Sequence, residues 1–245
     1  MGKIIGISGR KQSGKNTFAN YINGSILKSQ EMIQDFFIDE NGKLVIKTTD
    51  HDGKSGYGIL DVTRKDMSFI EYAEIDLWPY VKVYSFADYL KDICMNLFDF
   101  RYEQVYGTDD DKNTLVNINW KSMPYSKKKG KMTSREFMQH FGTNIVRKFK
   151  DDAWVVNTIR RIVSEDSEVS IIADVRFPNE VNAIKNAGGV VVRLTRNIFG
   201  DDHKCESSLD QNNFDWSNFD LVIDNQDITI ENFCKEIENN KQIWV

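Results

Sequence analysis

The sequence predicts an α/β fold in which a mostly parallel sheet is covered by helices on both faces. Two observations predict it. Short runs rich in apolar and β-branched residues recur along the chain, and helical patterns stand between or after them. A third sharpens it: the first run passes straight into a glycine-rich loop and then a helix. With 245 residues, 40% of them hydrophobic and only 3 prolines, the chain is long enough for a full core and has the composition of an ordinary folded protein.

Taken in order, the strand runs are Lys3 to Ile7, Val81 to Phe86, Val169 to Ala173, Val190 to Leu194 and Leu221 to Ile223. Each is a short apolar stretch, as a strand buried on both faces requires. Helical spacing begins after Gly14 and returns at Ala87–Phe98, Thr133–Phe149, Ala153–Ser164, Pro178–Ala187 and Thr229–Glu238. Residues 35–80 break this rhythm. There Asn41-Gly42 stands between two β-rich arms, which predicts a β-hairpin over Phe36–Thr48, followed by a glycine-rich loop, HDGKSGYG. The whole chain, 1–245, reads as one domain with an insertion at 35–80, whose residues carry no legible chemistry, and a lysine-rich segment at 121–135 able to act as a lid.

Charge and cysteine usage narrow the function. A net charge of −5 argues against a surface devoted to nucleic acid. No apolar run approaches the roughly 20 residues needed to span a bilayer, and the amino-terminal apolar patch is too brief for a signal-peptide core. Cys94, Cys205 and Cys234 are odd in number and lie far apart, so they read as reduced thiols, and a cytoplasmic location is expected. One stretch runs against the overall charge: between Lys121 and Lys150 nine Lys and Arg residues meet the single acid Glu136. It reads equally as a solvated face or as a site for phosphate groups.

The clearest chemistry lies at Gly9-Arg10-Lys11-Gln12-Ser13-Gly14-Lys15-Asn16-Thr17, a GxxxxGK pattern between strand and helix. Its glycines let the backbone wrap so that N–H groups and the helix amino end face phosphate oxygens, while Lys15 reaches the β and γ phosphates. The pattern departs from the usual form in one place. Asn16 stands where a Mg²⁺-binding hydroxyl is expected, and the hydroxyl comes one residue later, on Thr17. An amide oxygen can hold Mg²⁺ or its water, so a metal site remains compatible, with Asn16, Thr17 and Asp174 reached through water.

Further candidates sit at strand ends. Asp174 and Arg176 follow the Val169 strand, at the sheet edge where open α/β sheets bind ligands. Asp174 suits a metal-bound water or a sugar hydroxyl and Arg176 suits bidentate phosphate; a plain turn before the Pro178 helix is the alternative. The helix beginning at Thr133 carries a capping box to Glu136, and Phe137, Met138, Phe141, Ile145 and Phe149 are expected in the core. Arg135, Gln139 and Gly142 share a face there, where the glycine would let a ligand come close or where solvent would explain the polar residues equally well. Trp154 reads first as a core aromatic and second as a stacking platform for a base. Arg193 and Arg196 flank the end of the Val190 strand, before a polar segment with His203 and Glu206, and Asn225 follows the last strand.

The order of these motifs resembles the deoxynucleoside monophosphate kinases of tailed bacteriophages, a branch of the P-loop nucleoside monophosphate kinases. The matching stretches are SGRKQSGKNT, SFADYLKD, SREFMQHFGTNIVRKF with DDAW, IIADVRFPNE, VVVRLTR, HKCES and DLVIDN. The resemblance implies a three-layer P-loop kinase fold with a five-stranded parallel sheet, ATP with Mg²⁺, and phosphoryl transfer to a deoxynucleoside monophosphate. It implies that Gly9 to Thr17 and Asn225 hold ATP. Lys11, Lys91, Arg135, Gln139, Gly142, Thr143, Trp154, Asp174, Arg176 and Glu180 then surround the acceptor, and Lys15, Arg135, Arg176 and Arg196 align the nucleotides and neutralise charge. The partners implied are small-molecule nucleotides, with no stable nucleic acid and no membrane; a homodimer is left open. Two rivals remain on the residues alone: a P-loop kinase of another small acceptor such as dephospho-coenzyme A, and a nucleotide-dependent nucleic-acid binder using Lys121–Lys150.

Overall fold

A computed structural model describes residues 2–49, 52–198 and 207–245. In chain order, β1 (Lys3–Ser8), α1 (Lys15–Ser29), β2 (Asp35–Ile38), β3 (Leu44–Thr49), β4 (Ser55–Ile59), α2 (Met67–Asp76) and β5 (Val81–Tyr84) come first. They are followed by α3 (Asp88–Phe98), α4 (Tyr102–Tyr106), α5 (Asp109–Lys112), β6 (Leu115–Asn119), β7 (Lys131–Thr133) and α6 (Ser134–Gln139). A π-helical stretch, His140–Val146, leads into α7 (Arg147–Phe149). The chain ends with α8 (Ala153–Glu165), β8 (Val169–Val175), α9 (Pro178–Asn186), β9 (Val190–Leu194), β10 (Leu221–Ile223) and α10 (Ile230–Asn239). The chain divides into two compact units, residues 1–85 with 159–245, and residues 86–158.

In the first unit a five-stranded sheet has the order β10-β9-β1-β8-β5, and every adjacent pair is parallel. The five expected strands are these five, with boundaries shifted by at most two residues. Alternation along β1 assigns its two faces. Ile5 and Ile7, both 0% exposed, join a core with Phe18, Ala19 and Ile22 of α1, Phe69 and Ala73 of α2 and Phe233 and Ile237 of α10. Gly6 faces the other way, and a Cβ there would lie 2.6 Å from Ile184 Cδ1 of α9. On that side α8 also meets the edge strand, where buried Lys82 pairs with Glu165 at 2.7 Å and Tyr84 donates its hydroxyl to the same carboxylate at 2.8 Å. Helices on both faces of a parallel sheet make the three layers that the apolar strand pattern anticipates.

The insertion is more ordered than its sequence suggests. The hairpin is present as β2 and β3, joined through Asp39–Lys43, and its turn places Gly42 at φ +75° after an N–H to C=O bond from Gly42 to Asp39 of 2.9 Å. This is a three-residue loop in which the glycine takes the left-handed position. The glycine-rich stretch expected as a loop is in part a strand: β4 pairs antiparallel with β3 from Thr49↔Ser55 to Val45↔Ile59. Backbone pairing outweighs the weak strand preference of Gly56 and Gly58, since ladder hydrogen bonds need no side chain. Helix α2 left little trace in the sequence because it buries only Phe69 and Ala73.

The second unit has its own core: Leu90, Cys94, Phe100, Val105, Val116, Trp120, Met132, Phe137 and Trp154. Burial pushes the Cys94 thiol up to about 12, which keeps it protonated and inert. The capping box is present, with Thr133 Oγ1 accepting from Glu136 N–H and Glu136 Oε2 from Thr133 N–H, both at 3.1 Å. Two expectations about this helix are corrected. It is not α-helical throughout, so the α-helical spacing behind the Arg135, Gln139 and Gly142 face does not carry past Gln139. Phe149 is 81% exposed. The core reaches only as far as Val146 on this stretch, so Phe149 falls beyond it.

Phe18 ties the phosphate-loop helix to the core, packing edge-on to Trp244 with ring centroids 6.0 Å apart and tilted on Phe233 at 6.3 Å. Phe18→Ala is expected to cost about 3 to 5 kcal/mol, lowering Tm by on the order of 10 °C for a chain of this size. Thermal denaturation followed by circular dichroism checks it, and a shift of a degree or two would show that the site collapses around the gap.

Candidate active site

Strand β1 delivers its carboxyl end, Ser8, into the loop Gly9–Gly14, and α1 begins at Lys15. The turn into the helix needs glycine at its last position. Gly14 has φ +94°, and a Cβ there would lie 3.1 Å from the Phe233 ring. At the first position a Cβ on Gly9 would lie 2.3 Å from Ser13 Oγ, so the loop closes on itself without side chains. Lys15 folds back over the loop and donates to the carbonyl oxygens of Gly9 (2.7 Å) and Arg10 (2.6 Å).

Asn225, just past β10, braces the loop. Its Nδ2 donates to Ser13 O at 2.7 Å and its Oδ1 accepts from Arg196 N–H at 2.9 Å, so one buried amide links the phosphate loop to the end of β9. A second link comes from a residue the sequence did not point to. Asp210 binds Arg10 through Nε at 3.3 Å and through Nη2, and also accepts from Arg193 Nη2 at 3.0 Å. Arg193, 4% exposed, gives its other arm to Ser8 Oγ at 3.0 Å and lies over the Trp216 ring. Arg10 and Arg193 are thereby fastened by a shared carboxylate. Nothing local marks Asp210 in the sequence, because its partners are distant along the chain.

Around the loop opens a cavity of about 370 Å³ lined by Gln12 to Thr17, Arg196, Asn225 and the apolar side chains of Ile228, Ile230 and Phe233. Of the expected donor residues, Gln12, Ser13, Gly14, Lys15, Asn16, Thr17 and Asn225 line it, and so does Arg196, expected to align the nucleotides; Gly9 and Arg10 do not. Glu40, Asn41 and Gly42 of the insertion, which sequence reasoning left without a role, line it too. Asp174 and Arg176, at the end of β8, are near enough to act on the charge of Lys15. Asp174 Oδ2 accepts from Ser85 Oγ at 2.6 Å. Glu180 is 2% exposed, and its Oε2 accepts from the N–H groups of Arg176 (2.7 Å) and Phe177 (3.0 Å), holding the turn that presents Arg176. Lys11 is half-buried on the same loop. His203 and Glu206 lie outside the described residues.

The remaining expected residues belong to the second unit. Arg135 is held by Asp109 and by Asn113 Oδ1 at 3.2 Å. Lys91 lies 4.5 Å over the Tyr106 ring. Gln139 and Thr143 are half-buried. Gly142 has a different reason from the one expected: Leu90 fills the space beside it, 2.8 Å from where a Cβ would stand. Trp154 is 6% exposed and donates its indole N–H to Gly142 O at 3.1 Å, which matches the core reading of this side chain. The lysine-rich segment is the connection between β6 and β7. It is fastened by His140 Nε2 at 2.8 Å from Pro124 O, with Lys128 3.3 Å from Glu136 and 4.5 Å over the Trp120 ring.

A sequence profile of the family described as deoxynucleotide monophosphate kinase matches residues 3–237. The chain belongs to the deoxynucleotide monophosphate kinase family. It is also 30% identical over 165 residues to an inferred deoxynucleotide monophosphate kinase of Acanthamoeba polyphaga mimivirus, an alignment covering 62% of this chain and 79% of that protein. The protein is therefore a nucleotide monophosphate kinase, and its phosphate donor is a nucleotide. Among the described residues no helix is long and apolar enough to cross a membrane.

For such a kinase the electrostatics of Lys15 matter most. Burial, followed by repulsion from Arg176, lowers its pKa from 10.5 to about 7, with Asp174 pulling the other way and Arg193 adding to the fall. Without an anion the ammonium is thus poorly tolerated. Because the folded pKa lies below the ordinary value, the unfolded chain holds this proton more tightly, and the group's contribution to stability rises with pH from about 7 to 10.5. A bound polyphosphate reverses the balance by favouring the charged form. Nucleotide binding at pH 8 is expected to take up a proton at Lys15, and Lys15→Arg, always charged, is expected to lose that uptake. Calorimetry in buffers of different ionisation heat measures it; equal uptake by the two proteins would place the proton elsewhere.

Proposed function

We propose that this kinase transfers the γ-phosphoryl group of ATP, with Mg²⁺, to a deoxynucleoside monophosphate, giving the diphosphate for DNA synthesis in the cytoplasm. The observation that carries the donor assignment is the Gly9–Thr17 loop, with Lys15 closed over it and a cavity that Ile228 and Phe233 also line. The cavity is lined by the loop's backbone and cation together with apolar side chains, as a nucleoside triphosphate requires. Lys15 and Arg196 serve the donor's phosphates. Arg176, presented by the Glu180 cap, binds the acceptor's phosphate together with Lys11.

The residues present fit Mg²⁺ as a guest of the nucleotide. Among the described residues no cluster of three or more His, Cys, Asp or Glu side chains is arranged to hold a metal. The available donors are the hard oxygens of Asp174, Asn16 and Thr17, which Mg²⁺ accepts through its retained waters. When bound, Mg²⁺ neutralises charge on the β and γ oxygens. The protein supplies alignment: the loop N–H groups fix the β phosphate, Lys15 follows the transferring group, and Arg176 brings the acceptor oxygen into line.

With labelled ATP, deoxynucleoside monophosphates are expected to accept phosphate and dephospho-coenzyme A is not; the opposite result would move the enzyme to another acceptor. Arg176→Lys keeps the charge and loses the planar fork, so the acceptor KM should rise roughly tenfold or kcat fall while ATP binding changes little. A fall in ATP affinity with unchanged acceptor kinetics would reverse the two sides. Asp174→Asn should raise the Mg²⁺ concentration for half-maximal rate, and an unchanged titration with a damaged acceptor KM would assign Asp174 to the acceptor.

A further inference from the structure

The insertion ends at the donor cavity, and the way it is mounted there suggests a task. Hairpin β2–β3 lies along α1 and is seated by a glycine from each partner. Gly24 of the helix leaves no room for a side chain, since a Cβ would lie 2.3 Å from the Phe36 ring. At the other end a Cβ on Gly42 would lie 2.3 Å from Thr17 Oγ1. Between these points Tyr21 packs edge-on to Phe36 with ring centroids 5.5 Å apart, and Asn20 Nδ2 donates to Gly42 O at 2.8 Å. The tip is also internally fixed, because Asp39 Oδ1 accepts from the N–H groups of Asn41 (2.9 Å) and Lys43 (2.8 Å).

This mount holds Glu40 and Asn41, both exposed, on the wall of the cavity that Lys15 and Thr17 also line. A carboxylate facing a bare polyphosphate would oppose binding, so an uncharged part of the ligand suits Glu40 better. Thr17, against which the tip is seated, lies two residues beyond Lys15 along α1. The apolar wall of Ile228, Ile230 and Phe233 suits a base. What remains between phosphates and base is the sugar, whose vicinal hydroxyls are donors matched to a carboxylate and an amide oxygen.

Resting on the donor assignment above, we propose that Glu40 and Asn41 bind the sugar of the donor nucleotide, accepting hydrogen bonds from its 2′- and 3′-hydroxyls. The insertion is then a specificity element of the donor site. The test is steady-state kinetics of the full chain at saturating acceptor with ATP, GTP and 2′,3′-dideoxy-ATP. The wild-type KM should be roughly tenfold or more lower for ATP than for the dideoxy compound. Glu40→Ala and Asn41→Ala, changes at an exposed tip, should raise the ATP KM toward the dideoxy value and leave the dideoxy and acceptor KM unchanged. Variants that keep the wild-type ratio, a wild type without sugar preference, or an effect that follows ATP against GTP would overturn the proposal. Normal turnover of ATP in those cases leaves the donor assignment intact, whereas failure of the wild-type protein to bind ATP would remove both.

Discussion

All five strands of the central sheet run in one direction, and the rest of the molecule follows from that. Parallel strands bring every carboxyl end to the same edge, so Ser8, Val175, Leu194 and Ile223 all release their loops there. Crossovers between parallel strands require helices, which cover both faces and leave that edge as the place where polar backbone meets solvent. A phosphate loop on β1, an Asp and an Arg at the end of β8, an Arg after β9 and an Asn after β10 thus converge without being close in sequence.

Convergence alone would leave a set of mobile loops, and the structure ties them. Asn225 joins the phosphate loop to the β9 turn through two hydrogen bonds, and Asp210 joins it again through Arg10 and Arg193. Each tie uses a polar group whose loss would leave a buried partner unsatisfied, which costs more than the bond itself contributes. Glu180 performs the same service for the turn carrying Arg176. Preorganisation of this kind lets electrostatic stabilisation act without reorganisation when charge moves.

Glycine does a second job here. Beyond the positive φ at Gly14, it permits backbone contact where elements cross: Gly6 under α9, Gly24 under the Phe36 ring, Gly42 against Thr17, Gly142 beside Leu90. In the last case the sequence offered a ligand as the reason for the glycine, and the close neighbour is instead a leucine. From sequence a glycine announces a close approach without naming what approaches.

The sequence by itself determined the α/β class, the order of the five strands along the chain, the loop with its lysine and the Thr133 cap. These are local patterns: runs of β-branched residues, helical spacing, a GxxxxGK turn, a hydroxyl three residues before a Glu. The tertiary structure decided what depends on contacts between distant residues. It made a strand of Ser55–Ile59 by pairing it with β3, converted part of the Thr133 helix to π geometry and left Phe149 exposed beyond a small core. It also recruited Asp210 to the loop and set Glu40 and Asn41 beside it. A side chain's chemistry is written in the chain, but its neighbours are chosen by burial and hydrogen bonding summed over elements far apart, and no local window of sequence contains that sum.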